Sequence, residues 1–217
     1  MIENRIEKKF VFQPGDKSID YLLINGFFKK IFKPRLINTI YLDTLDFKNI
    51  WDNINGFSKR TKHRIRWYNN IEDDEVFFEE KNKKNQTTIK NKIRMGKFKS
   101  EDDLLLYLNS SKFTRDFGFK YRFNLKKILK VSYKRSYFSD PKNKVRITFD
   151  ENIFVNRNVK KKQMGLFLDN NILEVKYNIL DSNYCNSLLL NSKITNRNKK
   201  YSKYVQSFLN INESGLI

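Results

Sequence analysis

Apolar and charged residues alternate along much of this chain with the period of two that a half-buried β-strand requires. In residues 60–68, RTKHRIRWY, Arg60, Lys62, Arg64 and Arg66 fall on one side, while His63, Ile65 and Trp67 fall on the other. The same frame sets Arg5, Glu7 and Lys9 against Ile6 and Phe10, and Lys144, Arg146, Thr148 and Asp150 against Val145, Ile147 and Phe149. Phe77, Glu79, Lys81 and Lys83 share a phase, as do Tyr133, Arg135 and Tyr137, while Glu174 and Lys176 alternate with Leu173, Val175 and Tyr177. These patterns predict strands at about 2–12, 36–43, 57–69, 75–84, 87–95, 129–139, 144–153 and 171–178. Helices are predicted near 17–25, 45–54, 100–109, 182–191 and 201–210, and residues 156–171 read as a long connection. Eight strands interrupted by helices point to an antiparallel barrel and not to a parallel βαβ sheet. The expected fold is therefore α+β: a closed eight-stranded antiparallel β-barrel with helices packed outside and a C-terminal closing helix.

The charged phases raise an electrostatic question. Like charges on one strand face stand about 7 Å apart and repel unless an anion lies against them. A solvated face explains any one strand, but it explains the recurring choice of Arg, Lys and Glu less well. If the strands close, the charged phases converge on one lumen and the apolar phases pack under helices. A lumen of many cations and a few carboxylates suits a polyphosphate with a divalent metal. Cations neutralise phosphate oxygens, and carboxylates hold the hard ion that bridges them.

Composition agrees. With 217 residues, 39% of them hydrophobic, including 19 Phe and 11 Tyr, residues 1–217 suffice for one domain with a real core. The formal net charge of +20 predicts an anionic partner, although a chain rich in Lys, Asn and Ile owes part of that excess to composition. One cysteine, Cys185, excludes an intramolecular disulfide and a Cys-based zinc site, and it reads as a buried, inert thiol. The charged N-terminus is no secretory signal, and no apolar run approaches the roughly 18 residues of a membrane span. A cytoplasmic chain without a transmembrane segment is expected.

Seven segments carry a family resemblance: NRIEKKF, IYLDT, GFSKRTKHRIRWY, VFFEEKNK, YKRSYF, ILEVKYN and KKYSKYVQSF. In this order, over residues 3–209, they resemble VTC domains, the polyphosphate polymerase branch of the triphosphate tunnel metalloenzyme (CYTH-like) superfamily. The resemblance implies an eight-stranded tunnel that binds a nucleoside triphosphate and Mn²⁺ or Mg²⁺. Its activity would be transfer of the γ-phosphate of ATP to a growing polyphosphate chain. The phosphate-binding positions it implies are Lys9, Arg64, Arg66, Lys81, Lys83, Arg135 and Arg146, with Ser202 beside them. Arg64 and Arg66, together with Lys200 and Lys203, are the implied catalytic cations; the i, i+3 spacing of the lysines would place both on one face of the closing helix. Glu174 matches the metal-coordinating glutamate, and Glu7 and Glu79 could join it. The hydrolytic branch opens with E-x-E-x-K, whereas the frame here reads Glu3, Arg5, Glu7, Lys9, which favours the polymerase branch. Eukaryotic members carry an inositol-phosphate-sensing domain and membrane segments. Neither is read here, so regulation and product export are not expected to run through this chain, while a membrane partner for export stays compatible with it.

Two rivals accompany this reading. One is a hydrolase of the same tunnel class, acting on tripolyphosphate, a nucleoside triphosphate or an RNA 5′-triphosphate. The other is a non-catalytic binder of polyphosphate or nucleic acid. Nucleic acid is the less expected ligand, because Phe10, Trp67 and Phe149 lie out of phase with the cations. His63 and Trp67 are assigned to the packed outer face, Asp43 or Thr44 to a helix cap, and Lys160, Lys161 and Lys162 to a solvated loop.

Overall fold

The computed structural model describes residues 5–16, 26–84, 87–118, 125–157, 165–192, 194 and 199–214. The predicted helix at 17–25, Glu3, and Lys160 to Lys162 lie outside the described residues. Alternation becomes β1 (Arg5–Phe12), β2 (Lys29–Asp43), β3 (Lys59–Tyr68), β4 (Val76–Lys84) and β5 (Thr87–Gly96). It continues as β6 (Lys126–Ser139), β7 (Val145–Asn156), β8 (Gly165–Phe167) and β9 (Asn171–Asn178). The described α-helices are α1 (Lys48–Ile54), α2 (Glu101–Leu108), the single turn α3 (Ser111–Phe113), α4 (Ser182–Asn191) and α5 (Lys203–Glu213).

Hydrogen bonding orders the strands β1-β9-β7-β6-β2-β3-β4-β5, with β8 on β7. The pairs β1–β9, β7–β9, β2–β3, β3–β4 and β4–β5 are antiparallel. Among the described residues β1 and β5 end this path, so the observed architecture is an antiparallel sheet of nine strands with helices.

Three differences from the sequence reading concern β2, β7 and β8. β2 starts at Lys29 and not at 36, because KKIFKPRL, with Pro34 and its lysines, hides the period of two behind exposed positions. β7 runs on to Asn156, and β8 adds a ninth strand inside the segment read as a connection. At Gly165 a Cβ would collide with the Phe154 ring and the Val155 carbonyl, so this pairing needs glycine.

The chain forms two compact units. One comprises Met1–Arg35, Tyr133–Ile153 and Phe167–Tyr201; the other comprises Leu36–Ser132, Phe154–Leu166 and Ser202–Ile217. In the first, the apolar phases of β1, β7 and β9 (Phe10, Phe12, Val145, Ile147, Phe149, Leu173, Val175) pack with Cys185 and Leu189 of α4. In the second, Ile40, Leu42, Ile65, Trp67 and Phe78 pack against Leu104, Leu105, Phe113 and Phe117, so α2 and α3 cover that face. Each such side chain contributes about 2 kcal/mol of burial. One face of these strands is thus consumed by packing, and the charged phase is left on the other.

Asp43 ends β2 and organises the start of α1. Its carboxylate accepts from the backbone N–H groups of Thr44 (2.8 Å), Asn49 (3.0 Å) and Ile50 (3.2 Å), while Thr44 Oγ1 accepts from Lys48 N at 3.1 Å. Both residues satisfy the open N-terminus of α1, whose N-cap position is Phe47 in a left-handed conformation. The cap expected at Asp43 or Thr44 thus falls on Phe47, while Asp43 and Thr44 supply side-chain oxygens to the backbone N–H groups at the helix start.

Candidate functional site

In the second unit the register of β3, β4 and β5 stacks the charged positions into rows. Arg60 pairs with Lys83, Lys62 with Lys81, Arg64 with Glu79 and Arg66 with Phe77; β5 extends these rows with Thr88, Lys90, Lys92 and Arg94. Directly paired residues project to the same side. Nine cations and one carboxylate, Glu79, therefore share one face of three strands.

Glu79 is the hub of this face. Its side chain is 1% exposed and lies 2.6 Å from Arg64 Nη2, 2.7 Å from Lys90 Nζ and 3.9 Å from Arg66 Nη1. Burial pushes its carboxyl upward, but Arg64, Arg66 and Lys90 overcome this and hold it at about 2. Burial pulls the Lys90 ammonium below its usual value, and repulsion from Arg64 and Arg66 adds to this against the pull of Glu79. The cations are frustrated and the carboxylate is the beneficiary. Glu79, a further metal candidate from the sequence, is here committed to three counter-ions.

The other cations on this face have definite partners. Arg66 Nε donates to Thr39 Oγ1 at 3.2 Å, Lys92 Nζ sits 3.4 Å from the centre of the Phe77 ring, and Lys62 Nζ donates to Ser202 Oγ at 2.7 Å. Lys90, Lys92 and Arg94 are additions to the sequence reading. They alternate in TIKNKIRMG with Ile89, Asn91, Ile93 and Met95. Ile93 and Met95 pack against the core, but Asn91 interrupts that apolar phase and the first six residues of β5 are exposed, so the frame is weakly marked.

On the reverse face, His63 is buried, lies 6.0 Å from the Phe78 ring and places Nε2 3.4 Å from Glu80 Oε2. Burial lowers its pKa, with Glu80 and Asp43 acting the other way. His63 belongs to the packed face, as does Trp67, whose ring lies 5.2 Å from Lys130 Nζ.

Helix α5 meets the charged phase of β2. Tyr204 stacks on Tyr41 at 4.5 Å and donates its hydroxyl hydrogen bond to Asp43 Oδ2 at 2.9 Å. Burial and then Asp43 raise the Tyr204 phenol far above its usual range. Ser202 is the N-cap, accepting from Val205 N at 3.4 Å. This corrects one expectation: the helix begins at Lys203, so Lys200 precedes it and the two lysines do not share a helical face. The i, i+3 argument fails because a serine that caps a helix ends it on the N-terminal side.

In the first unit β1, β9 and β7 form equivalent rows. Lys9, Glu174 and Thr148 are cross-strand neighbours, as are Glu7, Lys176 and Arg146. Lys9 Nζ lies 3.1 Å from Glu7 Oε1 and 3.7 Å from Glu174 Oε2, and donates to the Tyr201 carbonyl at 3.1 Å. Lys176 Nζ is 2.5 Å from Glu174 Oε1. Arg135 makes a two-point pair with buried Asp150, Nε to Oδ1 at 2.5 Å and Nη2 to Oδ2 at 2.7 Å. Burial opposes the Arg135 charge, but Tyr133, Asp150 and Glu174 outweigh it and raise its pKa further. Arg146 is exposed on β7.

Among the described residues, no three His, Cys, Asp or Glu side chains converge as a ready metal cage. Glu7 and Glu174 nevertheless fit a hard divalent ion. Both offer carboxylate oxygens around Lys9, and Thr148 Oγ1, opposite Glu174, is buried with no hydrogen-bond partner among the described residues. Mg²⁺ and similar ions bound with phosphates commonly use one or two carboxylates and complete their shell with phosphate oxygens and water. No helix among the described residues is long and apolar enough to cross a membrane.

Three solved structures share this fold. A candidate adenylyl cyclase from Hippeastrum with a dominant triphosphatase activity aligns with TM-score 0.55 and 12% identity, covering 97% of this chain and 96% of its own. A candidate adenylate cyclase from Vibrio parahaemolyticus gives 0.54 and 11%, over 95% and 99% of the two chains. A protein from Pyrococcus horikoshii OT3 gives 0.51 and 16%, over 94% and 99%. At these identities the likeness is one of fold. No curated protein matches in sequence. The VTC domain model matches residues 28–211, most of the sequence, and the chain belongs to the VTC domain family.

Proposed function

We propose that this protein is a metal-dependent polyphosphate polymerase that transfers the γ-phosphate of ATP to the end of an inorganic polyphosphate chain. The observation that carries the reading is the cation face of β3, β4 and β5, nine basic side chains around one carboxylate, in a VTC domain. Closure of the sheet into a cationic tunnel belongs to the same proposal.

Phosphoryl transfer asks little covalent chemistry of a protein; it asks for alignment and for neutralised oxygens. Lys9, Arg64, Arg66, Lys81, Lys83, Arg135 and Arg146 are the proposed triphosphate ligands. Arg64 and Arg66 would leave Glu79 in part and turn to phosphate oxygens, which offer more charge. Lys200 and Lys203 would orient the incoming terminal phosphate, which is already anionic at neutral pH and needs no strong base. Its oxygen bonds to the γ-phosphorus as the bond to the β–γ bridging oxygen breaks, and ADP departs. Glu174 and Glu7 would hold Mn²⁺ or Mg²⁺, which would supply positive charge to neutralise the transferring phosphates.

The test is purified protein with ATP and Mn²⁺, with products resolved by length on a gel. Chains longer than the substrate's are expected. Inorganic phosphate without such chains would overturn the polymerase reading in favour of a triphosphatase, the activity dominant in the Hippeastrum protein of the same fold.

A further inference from the structure

Thr148 breaks the pattern of its surroundings. It lies on β7 in the charged phase, two residues from Arg146 on one side and two from Asp150 on the other, directly across from Glu174. Arg135 occupies Asp150, and Lys176 and Lys9 flank Glu174. Within this group, Thr148 Oγ1 is the buried atom with no hydrogen-bond partner among the described residues.

A buried hydroxyl without a partner is costly, and native proteins satisfy nearly all such groups. Thr148 also has the nearest possible protein partner in place, since paired side chains have Cβ atoms only about 5 Å apart. Glu174 does not accept its proton; the carboxylate is drawn instead to Lys176, at 2.5 Å, and Lys9, at 3.7 Å. The hydroxyl and the carboxylate are thus neighbours in register, both oxygen donors, and not bonded to one another.

We propose that the Thr148 hydroxyl is an oxygen ligand, direct or through one water, of the divalent cation held at Glu174. The inference rests on the function proposed above and assigns that site a further positioning residue. A neutral hydroxyl adds a hard donor without adding negative charge, so it strengthens cation binding without repelling the phosphates the cation must also meet. It also takes a direction from the strand: β7 fixes Thr148 against β9, which makes the pair a rigid two-point seat, whereas Glu7 reaches in from β1 on a longer side chain.

Valine has the shape of threonine without the hydroxyl, so Thr148→Val is the informative change and Thr148→Ser the conservative control. Binding of Mn²⁺ is followed by loss of the free-ion electron paramagnetic resonance signal, with the protein saturated by the β,γ-imido analogue of ATP. Binding of tripolyphosphate without metal is measured by calorimetry in chelator. Thr148→Val is expected to weaken Mn²⁺ binding about tenfold, in the range that loss of metal-supporting contacts produces, and Thr148→Ser to stay within about twofold of wild type. Metal-free tripolyphosphate affinity is expected to be unchanged in both. Without ligand, Thr148→Val is expected to unfold at a temperature equal to or above that of wild type, since it removes an unsatisfied polar group; a hydroxyl that merely held the fold together would give a lower one.

Mn²⁺ affinity unchanged in Thr148→Val overturns the inference. So does an equal loss of metal-free tripolyphosphate affinity, which would make the hydroxyl a phosphate donor. Failure of wild type to bind tripolyphosphate at all would instead overturn the proposed function beneath it.

Discussion

Replacing Glu79 with Gln removes the one carboxylate on a face of nine cations while keeping its shape. The carboxyl is held at about 2, against a usual 4.5. That difference of roughly 2.5 pH units corresponds to about 3 kcal/mol at neutral pH, at about 1.4 kcal/mol per unit. The pH window is set by the sign. A carboxyl whose folded pKa lies below its unfolded value contributes in full above pH 4.5 and progressively loses that contribution as pH falls toward about 2. Urea unfolding at a series of pH values measures this. Wild type is expected to exceed Glu79→Gln by about 3 kcal/mol at pH 7, with the gap narrowing below pH 4.5. The same change should tighten binding of metal-free tripolyphosphate, because Glu79 and phosphate compete for Arg64, Arg66 and Lys90. A stability gap that does not vary with pH, or weaker tripolyphosphate binding in the variant, would refute the counter-ion reasoning. Loss of Mn²⁺ binding would point to Glu79 as a metal ligand.

Three other side chains give further expected outcomes. Glu174→Gln is expected to abolish metal-dependent turnover and the Mn²⁺-induced rise in melting temperature, while metal-free tripolyphosphate still binds. Tyr204→Phe removes the hydroxyl bonded to buried Asp43 and should cost about 2 kcal/mol in urea unfolding, the range for hydrogen bonds to charged groups. Cys185 is fully buried, and burial pushes its thiol up to about 11, so a disulfide reagent at pH 8 should label it only after denaturant is added.

Local pattern carries the strands whose two faces differ in kind. In β3 the branched and aromatic residues fix one phase under α2, so the phase of Arg64 and Arg66 can be read from the sequence. β9 is legible end to end for the same reason. Where the apolar phase is interrupted, as by Asn91 between Ile89 and Ile93 in β5, the frame is weakly marked, and Lys90, Lys92 and Arg94 are passed over. The role of Glu79 is out of reach for another reason. A carboxylate that serves a metal and one that serves three cations have identical local sequence; only the register of β4 with β3 and β5 separates them. At α5 two local signals compete. The helical spacing of Lys200 and Lys203 suggests an early start, but the capping preference of Ser202 decides the boundary.

Ser202 Oγ serves two donors at once, the Lys62 ammonium at 2.7 Å and the Val205 backbone N–H at the longer 3.4 Å. A phosphate that draws Lys62 away leaves the hydroxyl to the helix alone. Occupancy of the cation face and fraying of the first turn of α5 are then thermodynamically linked, each biasing the other by the same free energy. Helix α5 would then report on anion binding at the cation face, and amide hydrogen exchange at Val205 is where that report can be read.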